Sequence, residues 1–222
     1  MGSVFMKSEK CQKQRNKKQE RADTGMKQNK VQLVVKAVYA GFMIGIGGMV
    51  YLSVENKVVG SLLFSFGLLT IVAQGFNLYT GKIGFVKKPK ELLDMAGIAA
   101  GNYVGTLIAA WTAKLAQLPI TSMALAEAKL ENPVGKVFFL SVLCGVMMYL
   151  AIDNYAKTKN IVLIIAPVMI FILSGFEHSI ANMFYFHLAG AYTGKSTVYL
   201  LLMLLGNGVG AKLFSLKDGL NR

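Results

Sequence analysis

Glu177 and His178 are the only adjacent ionisable pair inside any apolar run of this 222-residue chain. Such groups are costly in a bilayer and usually line a cavity, pair with one another or mark a conduction path. An imidazole titrates near neutral pH when unperturbed, so His178 could donate a hydrogen bond or a proton to a passing conjugate base. A bare carboxylate in the same place would repel an anion. Glu177 is therefore assigned to bracing the chain, with its oxygens accepting backbone or hydroxyl hydrogen bonds. Asn182 follows His178 by four residues, which allows both to share one helix face. In a second polar interruption, Thr80 beside Gly81 adds an uncharged hydroxyl donor. Each residue also has a plainer reading: His178 as a neutral core side chain, Thr80 as a helix cap.

Both interruptions sit within long apolar runs. One run covers Val58–Phe76, meets the polar segment Asn77–Lys82, and resumes at Ile83–Val86. The other starts near Ile161, reaches Ser174–Ser179, and resumes from Ile180 to Leu188. A bilayer requires roughly 17–25 mainly apolar residues per helical crossing. Further runs of that kind lie at about Leu33–Ser53, Leu92–Ala113, Val134–Ile152 and Thr197–Phe214. The expected architecture is all-α: six transmembrane helices, the second and fifth interrupted, in two inverted-repeat halves at about 31–113 and 133–214. Paired interruptions in corresponding halves point to a transport site at the breaks. Gly97, Gly101 and Gly105 recur every fourth residue, giving a small-residue face on which another helix can pack closely.

Composition agrees. Hydrophobic residues make up 54% of the chain and charged residues 16%, well below the ~25% of a soluble domain. The net charge of +13 sits on segment ends around an apolar body, which favours lipid headgroups over nucleic acid as its partner. Placing the N-terminus in the cytosol puts 19 of the 24 basic residues on that side and returns the C-terminus there. Residues 1–30 read as a basic cytosolic tail, either solvated or lying on the membrane surface as a cover, ahead of a pore domain at 31–222. Residues 114–132 read as a long connection, partly helical. Cys11 and Cys144 are expected to be unpaired.

No cofactor or metal is expected: His178 and His187 are nine residues apart, neither cysteine has metal-binding spacing, and no Walker motif occurs. No catalytic nucleophile with a base and orienter is legible. The rivals to an anion channel are a proton-coupled anion symporter, a membrane-embedded enzyme using Glu177 and His178 as acid and base, a water or glycerol channel, and a scaffold.

The stretch from Ser174 to Phe184 closely resembles the fifth-helix signature of the formate/nitrite transporter family. Leu78-Tyr79-Thr80-Gly81, Gly101-Asn102-Tyr103-Val104-Gly105 and Leu205-Gly206-Asn207-Gly208 resemble its second-, third- and sixth-helix patterns. The resemblance spans about residues 33–214. It implies a homopentamer in a bacterial or archaeal inner (plasma) membrane, with one aquaporin-like pore per chain. The expected cargo is a small monovalent weak-acid anion, with protons: formate, nitrite, hydrosulfide or lactate. It implies His178 as the central pore histidine, Thr80 facing it across the lumen, Glu177 and Asn182 as braces, and Asn77 and Gly81 in the second loop. Lys129 would concentrate anions in the outer vestibule. Leu68, Leu78, Phe171, Met148 and Phe64 would form apolar constrictions, with Tyr79 beside the narrow part. Three departures stand out: Asn77 where many members carry Asp, Tyr79 for the usual Phe, and Gly145 where some place Asn. The tight Leu78/Tyr79 region favours hydrosulfide or nitrite over lactate.

Overall fold

The computed structural model describes residues 29–219, so most of the expected basic tail, with Cys11, lies outside the described residues. The chain is an all-α, multi-pass integral membrane protein. Among the described residues five helices are long and apolar enough to cross a bilayer: α1 (Asn29–Ser53), α2 (Lys57–Gln74), α4 (Glu91–Leu115), α6 (Val134–Thr158) and α9 (Gly194–Ser215). Between them lie the short α3 (Tyr79–Lys82), α5 (Met123–Glu131), α7 (Val162–Leu173) and α8 (Ser179–Ala189). The connection at 114–132 is thus partly helical through α5, as its mixed composition suggests.

Local chemistry sets the ends. Asn56 caps α2, its side-chain oxygen accepting from the Val58 and Val59 amides at 3.0 and 3.1 Å. Thr193 and Ser196 form a reciprocal capping box at the start of α9. α2 and α7 stop in the same way. Gly75 and Gly175 adopt left-handed φ of 64° and 69°, which glycine tolerates without a Cβ clash. The next amides, of Phe76 and Phe176, then reach back 2.9 Å to the Ile71 and Phe171 carbonyls. Both apolar runs therefore end in a glycine-capped stop part-way through the bundle.

Glycine also sets how closely the long helices approach. α1 lies against α4 where a Cβ on Gly105 would strike the Val38 carbonyl and one on Gly41 would strike that of Asn102. α6 lies against α9 in the same way: a Cβ on Gly210 would strike the Val142 carbonyl and one on Gly145 that of Asn207. Backbones in contact gain dispersion and leave no gap, which is what holds helices together where lipid is as apolar as Leu. The wide aromatic ring of Phe184, on α8, fills the space that Gly45 and Gly48 of α1 leave open. Outward positions such as Leu93, Trp111, Phe139 and Leu201 remain exposed apolar surface, as a lipid-facing wall requires.

These contacts make a graded prediction. Gly210→Ala should lower the thermal unfolding midpoint in detergent, at a cost of about 1–3 kcal/mol from overpacking. Gly135→Ala, whose new Cβ meets nothing within 4 Å, should leave it unchanged or slightly raised. Equal midpoints for both variants would show that close helix approach does not limit stability.

Candidate transport site

The two glycine-capped stops leave extended loops before α3 and α8, and these loops bring their following helices together. Backbone at this depth has no water to bond, so every amide and carbonyl needs a protein partner. Two asparagines supply them. Asn102 of α4 accepts from the Tyr79 amide at 2.9 Å and donates to the Ala37 and Asn77 carbonyls at 2.7 and 2.8 Å. Asn207 of α9 accepts from the Ser179 amide at 2.9 Å and donates to the Ser141 and Glu177 carbonyls, each at 2.8 Å. The Asn77 amide bonds the Lys36 carbonyl, and the Glu177 amide bonds that of Leu140. The two loops thus carry one hydrogen-bond pattern at corresponding positions. Sequence reasoning gave no role to Asn102 or Asn207. The signal was present, since Gly101-Asn102-Tyr103-Val104-Gly105 and Gly206-Asn207-Gly208-Val209-Gly210 share Gly-Asn-x-Val-Gly.

His178 occupies the N-cap position of α8, and its Nδ1 accepts from the Ala181 amide at 3.1 Å. An accepting Nδ1 carries no proton, so hydrogen bonding assigns the ring the Nε2–H tautomer. Nε2 lies 2.9 Å from Thr80 Oγ1. The imidazole therefore donates to the threonine oxygen, and the threonine O–H remains a donor of its own. Both side chains are buried, at 2% and 1% exposure. Phe171 stacks on the imidazole at 5.3 Å between centroids, and Phe64 meets Phe171 edge-on at 6.2 Å. Leu68, Leu78 and Met148 are buried in the same apolar cluster. A cavity of about 550 Å³ leads from the end of the bundle carrying Val86 and Glu91 up to Leu68 and Leu78. Beside it, Lys36, Asn77, Lys82 and Asp94 line a more polar cavity of about 430 Å³.

The remaining expected residues fall into two groups. Asn77 and Glu177 lie in the loops: the Asn77 side chain donates to the Leu33 carbonyl at 2.9 Å, and Gly81 is buried in α3. Glu177 accepts from Asn182 at 2.7 Å and from Lys129 at 2.5 Å. Lys129 differs from the sequence expectation. Lys129 is 13% exposed, with a carboxylate against its ammonium, so it is half of an ion pair rather than an open cation. Asn182 donates to Glu177, the bracing contact that the family resemblance implies, and to the Met203 sulfur, while its amide donates to the His178 carbonyl one helical turn back. Tyr79 differs too: its hydroxyl donates to the Leu204 carbonyl at 3.0 Å, and its ring borders a crevice against α9. The phenol seeks a partner in apolar surroundings, and the α9 backbone offers one. The Ser179 hydroxyl is buried without a hydrogen-bond partner, and Cys144 is buried and free. Among the described residues no group of three or more His, Cys, Asp or Glu could hold a metal ion.

A family model described as formate/nitrite transporter matches residues 10–216. The chain belongs to the formate/nitrite transporter family. Within that family it is 30% identical over 149 residues to formate channel FocA of Haemophilus influenzae, covering 58% of this chain and 52% of that protein. It is 28% identical over 213 residues to nitrite transporter NirC of Salmonella typhimurium, covering 81% and 79%. This chain thus spans about half the length of the Haemophilus channel. In fold it is similar to a pentameric formate channel with formate bound, at a TM-score of 0.76 and 24% identity, over 85% of this chain and 95% of that one.

The Lys129–Glu177 pair gives this site its sharpest test. Lys129→Met leaves a buried carboxylate uncompensated and should destabilise the protein by about 3–5 kcal/mol. Adding Glu177→Gln, which keeps an acceptor for Asn182, should recover most of that loss in thermal unfolding. No recovery in the double variant would mean that the two groups do not act as a pair.

Proposed function

We propose that the chain is a passive channel for small monovalent weak-acid anions, with formate, nitrite and hydrosulfide as the candidate cargoes. The observation that carries this reading is the 2.9 Å contact between His178 and Thr80, made where two interrupted helices meet and bordered by Phe171. In this reading α2 with α3, and α7 with α8, each form one interrupted spanning unit. Six units then make two inverted, aquaporin-like halves. The matched hydrogen bonds of the two loops support it. The N- and C-termini lie in the cytosol, on the same side as Lys87, Lys88, Lys90, Lys157 and Lys159. The pore unit assembles as a homo-oligomer, a pentamer as in the similar formate channel, in a bacterial or archaeal plasma membrane.

The mechanism follows from what a dry lumen does to charge. Moving an ion into an apolar medium costs far more than moving its neutral acid, so the anion is driven to take a proton or to keep strong hydrogen bonds. Leu68, Leu78, Phe64, Phe171 and Met148 form the apolar narrowings. Between them, Nε2–H of His178 polarises the Thr80 hydroxyl, whose own O–H points a donor at the guest. Donor chains strengthen one another in low dielectric. An imidazole and a hydroxyl suit any small conjugate base, so the pair selects for size and basicity and leaves the choice among the candidate anions to the narrowings. Lys129, compensated by Glu177, contributes a donor and a local dipole at the outer mouth. The Glu177 carboxylate, already bonded by Lys129 and Asn182, is a brace and not an acid–base group.

Proteoliposomes loaded against formate, nitrite, hydrosulfide and lactate, each at two pH values, test the reading. Wild-type flux should rise as pH falls and should be smallest for lactate. His178→Asn retains an N-cap acceptor and should fold. It should lose about tenfold of the flux, about 1.4 kcal/mol in the barrier. Unchanged flux in that variant would reject the role given to the imidazole.

A further inference from the structure

A crevice of about 430 Å³ opens on the outside of the bundle between the loop after α3, the first turn of α4 and the end of α9. Its mouth is basic, lined by Lys87, Lys88 and Lys212, and its wall is apolar, with Leu92 and Leu205 more than half exposed. Lys212 comes from the far end of the chain, yet its ammonium donates 2.6 Å to the Val86 carbonyl, next to Lys87. The fold thus gathers like charges from two distant segments. Among the described residues none of the three forms an ion pair with a carboxylate, and the Glu91 charge acts on Lys88 only at longer range. Glu91, the nearest acid in sequence, spends one oxygen on the Lys87 and Lys88 amides at 2.8 and 3.4 Å, which holds the lysine loop in shape. Asp153 pairs with Lys157 and Lys217, and Asp94 faces the pore-side cavities.

We propose that this crevice is a binding site for one anionic phospholipid. The phosphate sits among Lys87, Lys88 and Lys212, and an acyl chain runs along Leu92 and Leu205. Basic pockets between spanning helices at the cytosolic boundary recognise such headgroups, because ammonium and phosphate attract strongly where water thins out. A free phosphate would leave the leucine wall bare. A second copy of the chain would have to bring carboxylates to three gathered ammoniums, whereas Glu91 holds its own lysine loop and Asp153 is paired within its own chain. The orientation proposed above names the leaflet, the inner one, but the site stands independently of any anion flux. An occupant would also touch Tyr79, the residue before Thr80, so the lipid packs on the back of the half-helix that carries the pore hydroxyl.

The test compares thermal unfolding of the detergent-purified protein with added phosphatidylglycerol, phosphatidylcholine or inorganic phosphate. Phosphatidylglycerol should raise the midpoint by roughly 4 °C more than phosphatidylcholine does, and phosphate alone should leave it in place. The double variant Lys87→Gln/Lys88→Gln, which spares the Lys212 bond to Val86, should lose that preference. Leu205→Trp, which fills the apolar wall, should lose it too, and keeps the test decisive if the double variant does not fold. Lys159→Gln, a basic residue outside the crevice, should retain it. Equal effects of the two lipids, an equal effect of phosphate, or a preference that survives in the folded variants would each overturn the proposal. So would a double variant that loses its oligomeric state while wild type shows no lipid preference, because that face would then belong to a second copy.

Discussion

Two carboxamides carry the centre of this protein. Asn102 and Asn207 each hold an extended loop inside the bundle by satisfying one amide and two carbonyls. A buried, unpaired backbone group costs about 1–3 kcal/mol, and each loop would expose several. Asparagine suits the task because its side chain is both acceptor and double donor at one point. An aspartate could not donate to the two carbonyls. The glycines on either side make the bonds possible, since α1 and α6 must press against the backbone of the asparagine itself for those carbonyls to come within reach.

The spans and the breaks were legible because they are written in composition. A 16% charged chain with long apolar runs has few other folds open to it, and polar residues in the middle of such runs mark the stops. The Thr80–His178 meeting was legible through the family resemblance and through the pairing of breaks. Side-chain direction was less so. Lys129 and Glu177 lie 48 residues apart, and nothing local says that one closes on the other. Tyr79 turns outward because the α9 backbone happens to present a carbonyl at Leu204, a fact of packing and not of spacing. The asparagines were missed for a different reason. A search for identity between halves finds little, whereas a search for glycine-flanked polar residues would have found Gly-Asn-x-Val-Gly twice.

Electrostatics at the centre follow from that framework. The structure keeps the net-charged groups away from the Thr80–His178 contact or compensates them. Glu177 is neutralised by Lys129, and His178 meets its neighbours as a neutral donor and acceptor. A fixed positive charge there would trap an anion, and a fixed negative charge would bar it. A neutral donor pair does neither, and in the channel proposed above it would lower the cost of passage without creating a deep well. Weak binding at a dry narrowing is what flux requires, because a guest held tightly cannot leave.

The two loops share backbone chemistry and differ in the side chains they present. Leu78 and His178 hold equivalent places before their half-helices, each in extended conformation. Two residues on, Thr80 stands opposite Ile180 in the correspondence. Had both halves carried leucine and isoleucine, the centre would be sealed and dry. Had both carried histidine and threonine, four polar side chains would compete for one small space and hydrate it. One loop supplies the imidazole, the other the hydroxyl, and each contributes an apolar residue at the remaining position. The result is a single buried hydrogen-bonded pair among apolar side chains.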